Sequence, residues 1–129
     1  MYTVIVADDE EEIRRGIVRK VRWEELGFRV VGEAENGAEA LEMVEKLEPD
    51  LLLTDIRMPF LSGIELARSV REVLPTVQIA FLSGFDDFSY AQQAIQYNIV
   101  SYMLKPISAK EIEAELIKIK KAMDQRVEE

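Results

Sequence analysis

Acidic, hydroxyl and ammonium side chains follow four of the five strands that the sequence predicts. In chain order they are Asp8 and Asp9, Asp55, Ser83, and Lys105. The carboxyl ends of parallel strands meet at one edge of a doubly wound sheet, so residues far apart in sequence can converge there. We therefore expect these side chains to form one polar site.

The three acids of such a site would repel one another and raise each other's pKa unless a cation were present. A hard divalent cation suits oxygen ligands, and Mg²⁺ typically takes one or two carboxylates, keeps several waters and accepts phosphoryl oxygens. Lys105 would add a fixed positive charge, and the Ser83 hydroxyl could bond a phosphoryl oxygen. Because carboxylates can attack phosphorus, Asp55 is a candidate nucleophile that forms an aspartyl phosphate. Such a transfer needs little beyond in-line positioning and charge neutralisation.

A strand followed by a helix, repeated five times, would position these residues. Residues 51–53 are all apolar, which is typical of a central strand in a parallel sheet. The other strands are predicted at 2–7, 28–34, 77–82 and 100–104. This alternation with short connections predicts a parallel sheet with right-handed crossovers and helices on both faces.

Apolar stripes and capping residues locate the helices. Ile13, Ile17 and Val21 give the first helix its stripe, and Gly27 is its predicted stop. A weaker helix is predicted around Phe88, Ala91 and Ile95. Capping pairs predict three further helix starts, at Asn36 and Glu39, Ser62 and Glu65, and Ser108 and Glu111.

Bulk composition limits the possible functions. A chain of 129 residues suits one domain with one core. It contains no cysteine, which excludes thiolate metal sites, and no histidine, so imidazole chemistry must be borrowed from another molecule. The net charge of −9 opposes binding to nucleic-acid phosphates, so we expect no direct nucleic-acid binding by this domain. No apolar run approaches the roughly 20 residues of a membrane span, and we expect a cytoplasmic location.

Five motifs together resemble the receiver domain of two-component response regulators, and they cover nearly the whole chain in the family's order. They are Val6-Ala7-Asp8-Asp9-Glu10, Leu53-Thr54-Asp55-Ile56-Arg57-Met58-Pro59, Ser62-Gly63, Leu82-Ser83-Gly84, and Tyr102-Met103-Leu104-Lys105-Pro106. The resemblance implies an α/β, flavodoxin-like fold. Its doubly wound, five-stranded parallel sheet has the order 2-1-3-4-5, with helices on both faces.

The resemblance also implies the chemistry of the site. A partner sensor histidine kinase would phosphorylate Asp55 in a Mg²⁺-dependent reaction, and the domain would catalyse its own phosphotransfer and dephosphorylation, without being an enzyme in the usual sense. Asp9 and Asp55 would hold Mg²⁺ directly, Asp8 would hold it through water, and Arg57 would contribute its backbone carbonyl. Lys105 would assist the transfer.

A switch is implied by two further positions. Ser83 and Tyr102 match a pair in which the hydroxyl moves toward the phosphoryl group and the aromatic ring turns inward. Lys105-Pro106 matches a peptide bond that is usually cis in the family. Phosphorylation would then repack the face built by the fourth helix, the fifth strand and the fifth helix, which would govern a possible homodimer or contact with an output domain.

The segment Gly84-Phe85-Asp86-Asp87-Phe88-Ser89-Tyr90-Ala91, with Arg22-Trp23, resembles the branch whose longer members carry an AraC-type helix-turn-helix output. We therefore expect a receiver domain at 1–124. Residues 125–129 would begin a linker to a C-terminal DNA-binding output domain that controls transcription.

Other interpretations of these residues stay open. The acids at 8–10 could simply favour a helix N-terminus through its dipole. Tyr102 and Trp23 could be packed aromatics. A phosphatase of the haloacid-dehalogenase type also uses an aspartyl phosphate, although its pattern wants an acid where this chain has Arg57. A third possibility is an interaction module that signals without phosphorylation.

Overall fold

Five parallel strands form one sheet in the order β2-β1-β3-β4-β5, as predicted. The computed structural model describes residues 1–84 and 95–128, together with 89 and 92. The strands are β1 (Tyr2–Ala7), β2 (Phe28–Ala34), β3 (Leu51–Asp55), β4 (Gln78–Ser83) and β5 (Ile99–Leu104). The bounds of β4 and β5 differ by one residue from those predicted.

Helices cover both faces of the sheet. They are α1 (Glu11–Lys20), α2 (Gly37–Leu47), α3 (Gly63–Val73) and a C-terminal helix (Ala109–Glu128). One core lies between the sheet and the pair formed by α1 and the C-terminal helix, and the other lies under α2 and α3. Alternate residues of β3 point to opposite faces, so Leu51 and Leu53 enter the first core and Leu52 the second. Burial on both faces explains why this strand is apolar throughout.

Side-chain caps begin three helices where the sequence predicts them. The Asn36 side chain accepts from the Glu39 amide at 2.8 Å. Ser62 and Glu65 form a reciprocal capping box, with bonds of 3.1 and 3.2 Å. The third pair, Ser108 and Glu111, makes the same exchange at the C-terminal helix. The turns that lead out of the sheet are therefore fixed locally.

Helix ends are where the prediction fails. α1 stops at Lys20 because Val21 is extended and buried, so Gly27 is not its stop. A 3₁₀ turn (Glu24–Leu26) intervenes, and Gly27 has φ 92°. The C-terminal helix continues to Glu128, and the predicted start of a linker at residue 125 stays a prediction.

The predicted helix around Phe88, Ala91 and Ile95 falls mostly outside the described part of the chain. Residues 88 and 91 are not among the described residues, and Ile95 opens a 3₁₀ turn (Ile95–Tyr97). Among the helices that are described, none is both long and apolar enough to cross a membrane.

Gly16 in the middle of α1 offers a test of the helix energetics. A Cβ atom built there would have no neighbour within 4 Å. Because glycine costs about 0.5–1 kcal/mol relative to alanine inside a helix, Gly16→Ala should raise the free energy of unfolding by about that amount. Urea denaturation with an unchanged m-value would measure it. A lower stability would show that the open space around Gly16 is not available to a methyl group.

Candidate functional site

Four carboxylates converge at the carboxyl edge of the sheet. One oxygen from each of Asp8, Asp9, Glu10 and Asp55 lies within 4.8 Å of the others. The adjacent strands β1 and β3 pair Ala7 with Thr54, so the next residue of each strand brings an acid to the same edge. Asp8 and Asp55 are buried, whereas Asp9 and Glu10 are exposed. The structure thus gathers the three predicted acids and adds Glu10.

Lys105 follows β5, the edge strand of the sheet, and supplies the positive charge of the site. Its backbone amide donates to the Ser83 carbonyl oxygen at 2.7 Å, which extends the pairing of β4 with β5. The Nζ atom lies 2.8 Å from Glu10 Oε1, 2.9 Å from Asp8 Oδ2 and 3.2 Å from Asp55 Oδ2. A single ammonium group therefore bridges three of the carboxylates. The bond between Lys105 and Pro106 is cis, as the resemblance implies.

Four carboxylates and the Lys105 ammonium meet in the site, so its negative charge is only partly neutralised. Burial, reinforced by the charge of Asp8, raises the pKa of Asp55 to about 7, although Lys105 acts in the opposite direction. Burial by itself would lower the pKa of Lys105, but its contacts with Glu10 and Asp8 raise it above its ordinary value. The Lys105 ammonium is thus insufficient to keep Asp55 ionised at low cost.

The donor set fits a hard divalent cation. Asp8 Oδ2 is buried and, within the described part of the chain, accepts no well-aligned hydrogen bond, although Lys105 Nζ is close. The Lys105 ammonium near this oxygen is shared with Glu10 and Asp55, so a further cation would stabilise the cluster. Carboxylates and backbone carbonyls are the ligands that Mg²⁺ prefers, and Asp9 is exposed enough to reach an ion that keeps several waters.

The loop between β3 and α3 forms the open side of the site. A cavity of about 400 Å³ lies there, lined by Asp9, Ile56, Arg57, Met58, Pro59 and Ser62. Arg57 is exposed. The amide of Gly63 donates to the Ile56 carbonyl at 2.7 Å, which closes the loop back onto the end of β3. The loop therefore places the Arg57 backbone at the same opening as Asp9.

Ser83 and Tyr102 meet beside the acids. Ser83 ends β4 and is fully buried, and its hydroxyl is hydrogen-bonded to that of Tyr102 on β5. Tyr102 is half-buried and packs against the core under α2 and α3. The pair that the resemblance assigns to a switch is thus in direct contact.

Comparison with known proteins decides the family. Residues 4–117 match the response regulator receiver domain. The chain belongs to this family. The match begins within β1 and ends within the C-terminal helix, so it covers most of the strand-and-helix pattern described above.

Longer relatives of this receiver domain are transcriptional regulators by name. YesN of Bacillus subtilis (strain 168), an uncharacterized transcriptional regulatory protein, is 40% identical over 119 residues, covering 92% of this chain and 32% of YesN. The transcriptional regulatory protein HptR of Staphylococcus aureus (strain N315) is 34% identical over 113 residues, covering 88% of this chain and 44% of HptR. The receiver domain thus spans less than half the length of these relatives.

Solved structures of similar sequence share the fold. The REC domain of AraT, a response regulator from Geobacillus stearothermophilus, has a TM-score of 0.92 and 38% identity, covering 97% of both chains. A two-component transcriptional regulator AraC from Clostridium phytofermentans ISDg has a TM-score of 0.88 and 32% identity, also covering 97% of both. The chain is therefore a receiver domain of the kind found in transcriptional response regulators.

Trp23 of this receiver domain is a packed aromatic. Its side chain is 5% exposed, contacts Phe28 edge to face, and donates its indole N–H to the Ile17 carbonyl at 3.3 Å. The neighbouring Arg22 bonds the Glu113 carboxylate through both its backbone amide and its guanidinium. The Arg22-Trp23 pair therefore anchors the connection after α1 to the C-terminal helix.

Two residues near the site, Glu10 and Arg14, have no role in the prediction from sequence. Glu10 was recognised only as part of the acidic run, and its contact with Lys105 depends on the fold. Arg14 is buried directly behind Asp8. Its position three residues before Ile17, on the edge of the apolar stripe of α1, was the available signal that it faces inward.

Proposed function

We propose that this receiver domain accepts a phosphoryl group on Asp55 from a partner histidine kinase. The observation that carries the proposal is the approach of Lys105 Nζ to Asp55 Oδ2 at 3.2 Å within a cluster of four carboxylates. Because the chain has no histidine, the donor imidazole would belong to another protein. The transfer would form a bond between an Asp55 oxygen and phosphorus while the phosphorus–nitrogen bond breaks and the imidazole leaves.

The chain's own groups have separate tasks in this reaction. The Asp55 carboxylate is the nucleophile, Lys105 offsets charge on the phosphoryl oxygens, and the Ser83 hydroxyl donates to one of them. Asp9, Asp55 and the Arg57 carbonyl would hold Mg²⁺, with Asp8 acting through water. When bound, the ion supplies charge neutralisation and orients the phosphoryl oxygens.

Loss of the phosphoryl group would use the same site. Water would attack the phosphorus, the bond to the Asp55 oxygen would break, and inorganic phosphate would leave. The domain would in this way promote its own phosphorylation and dephosphorylation and return to its starting state, without turning over a separate substrate.

The output of the reaction would be a change of surface. A phosphoryl group adds charge of about −2 to a buried site, which can bias a two-state packing of neighbouring groups. Ser83 would turn toward the new oxygens, which would release its hydroxyl from Tyr102 and let the ring turn inward. The face that includes β5 and the C-terminal helix would then control a homodimer or a C-terminal DNA-binding output domain in a cytoplasmic transcription regulator. The names of YesN and HptR support the transcriptional part of this proposal.

Mass measurement after incubation with acetyl phosphate tests the proposal. The protein should gain one phosphoryl group with Mg²⁺ and none with excess chelator, and Asp55→Asn should gain none. Asp50→Asn is the matched control, because Asp50 lies at the opposite end of β3 and accepts from the Thr3 amide at 2.8 Å. It should be phosphorylated like the wild type.

Other outcomes of the same experiment would overturn the proposal. Consumption of many equivalents of donor per protein would indicate a phosphatase. The absence of any gain would indicate an interaction module that does not use phosphorylation. A gain that survives Asp55→Asn would place the acceptor elsewhere.

A further inference from the structure

Arg14 is a buried cation beside the acidic site to which the proposed reaction gives no task. The residue lies on α1 and is 4% exposed. Its Nη1 donates to the Asp8 carbonyl oxygen at 2.9 Å, and its Nε donates to Glu33 Oε1 on β2 at 3.1 Å. Burying an arginine is costly unless its charge is paired and its N–H groups are hydrogen-bonded. Glu33 pairs the charge of Arg14, and the Asp8 carbonyl oxygen accepts one of its N–H groups.

The contact with Arg14 completes the immobilisation of Asp8. The Asp8 amide donates to the Ala34 carbonyl at 3.0 Å, and its Oδ1 accepts from the Glu10 amide at 2.9 Å. With the carbonyl oxygen held by Arg14, only Oδ2 is left, and this is the atom 2.9 Å from Lys105 Nζ. Hydrogen bonds thus hold the amide nitrogen, the carbonyl oxygen and the Oδ1 atom of Asp8, and together they determine the direction in which Oδ2 points into the site.

We propose that Arg14 is a positioning residue for the divalent-cation site. By holding the peptide that joins Asp8 to Asp9, it would fix how both carboxylates are presented. The inference depends on the proposed function, because it requires the acid cluster to bind a cation. Arg14 itself would not touch the ion, and hydrogen bonds of this outer kind typically change metal affinity by about 10- to 100-fold.

The positive charge of Arg14 would by itself have the opposite effect on Mg²⁺ affinity. If only charge mattered, removing a cation near four carboxylates would strengthen Mg²⁺ binding. If positioning matters, removing the hydrogen bond to Asp8 weakens it. Lysine separates these effects, because it keeps the charge but lacks the planar fork that reaches Asp8 and Glu33 together.

Isothermal titration calorimetry with Mg²⁺, well below the unfolding temperature, tests the proposal. Arg14→Lys and Arg14→Met should both raise Kd about tenfold. Arg15→Met removes the same charge from the next, exposed position of the helix and should leave Kd unchanged. Ile17→Val, a buried change on the same helix, should lower the unfolding midpoint without altering Kd.

Three other results of the titrations would overturn the proposal. An unchanged Kd in the Arg14 variants would overturn it, as would tighter binding by Arg14→Met with normal binding by Arg14→Lys. An equal loss of affinity in Ile17→Val would show that Arg14 acts only through general stability. If Arg14→Met fails to fold, Arg14→Lys decides. A wild type that binds no Mg²⁺ would instead remove the proposed cation site, and the role of Arg14 with it.

Discussion

Gly63→Ala is expected to destabilise the domain by about 3 kcal/mol or more, because the added methyl group overpacks backbone atoms. A Cβ atom at Gly63 would collide with the Asp55 carbonyl oxygen and lie 2.9 Å from Ile56 Cα. The oxygen belongs to Asp55, the last residue of β3, which pairs with Leu82 of β4, and Ile56 is the next residue, so neither atom can yield without moving the Asp55 side chain. The variant should therefore lose Mg²⁺ binding together with stability.

Thermal unfolding followed by circular dichroism would show the effect as a fall of about 10 °C in the midpoint, since about 1 kcal/mol corresponds to a few degrees in a domain of this size. Calorimetry with Mg²⁺ on the folded variant would measure the second part. Gly16→Ala is the matched control, because its methyl group meets open space. A near-normal midpoint for Gly63→Ala would mean that the loop after β3 can relax, and the close approach would then not determine the position of Asp55.

Asp55→Asn is expected to raise the unfolding midpoint of the metal-free protein by about 5 °C near pH 8, an order-of-magnitude value. The reason is the cost of ionising a buried acid. Burial and the Asp8 charge raise the pKa of Asp55 from its ordinary 3.8 to about 7 in the folded protein. Asparagine keeps the size of the side chain and removes the charge.

The pH dependence of this gain has a defined sign. Below about pH 4 the acid is protonated in both the folded and the unfolded chain, so Asp55 costs nothing. Between pH 4 and 7 the unfolded chain releases the proton while the folded one retains it, so the wild type loses stability as pH rises. The advantage of Asp55→Asn should therefore grow across this window and level off above pH 7.

Differential scanning calorimetry in a chelator, from pH 4 to 8, would measure the difference between the two midpoints. Asp124→Asn is a control of opposite sign, because hydrogen bonds from Lys120 and Tyr2 lower the pKa of Asp124. That variant should be less stable than the wild type by a nearly constant amount from pH 4 to 8, because the stabilisation by Asp124 is lost only at pH values below its ordinary pKa of 3.8. An Asp55→Asn advantage that is constant with pH would contradict a raised pKa.

Mg²⁺ should make the unfolding midpoint of the wild type higher than that of Asp55→Asn, which is the reverse of the order without metal. An ion that binds only the folded state raises the midpoint with its concentration. The wild type should gain from Mg²⁺, whereas Asp55→Asn, which lacks one carboxylate of the cluster, should gain much less. Equal gains would show that the ion binds without Asp55.

The order of the strands came from the resemblance to receiver domains, whereas the positions of the strands and the residues of the site followed from local signals in the sequence. The apolar residues 51–53 are typical of a strand covered on both faces, and capping pairs such as Ser62 and Glu65 mark where helices begin. Helix ends were less predictable. Val21 ends α1 because it enters the core, whereas Gly27, the expected stop, lies beyond a further turn. The predicted boundary at residue 124 depends on parts of a longer protein and stays a prediction.

The sequence by itself determined that an acid, a hydroxyl and an ammonium follow successive strands, because strand ends are marked by local changes in polarity. Only the tertiary structure decided which atoms meet. Lys105 bridges Glu10, Asp8 and Asp55, and Arg14 holds Asp8 from behind, because the sheet order and the packing of α1 bring these residues together. The physical reason is that contacts between distant residues depend on register and burial, which no local pattern records.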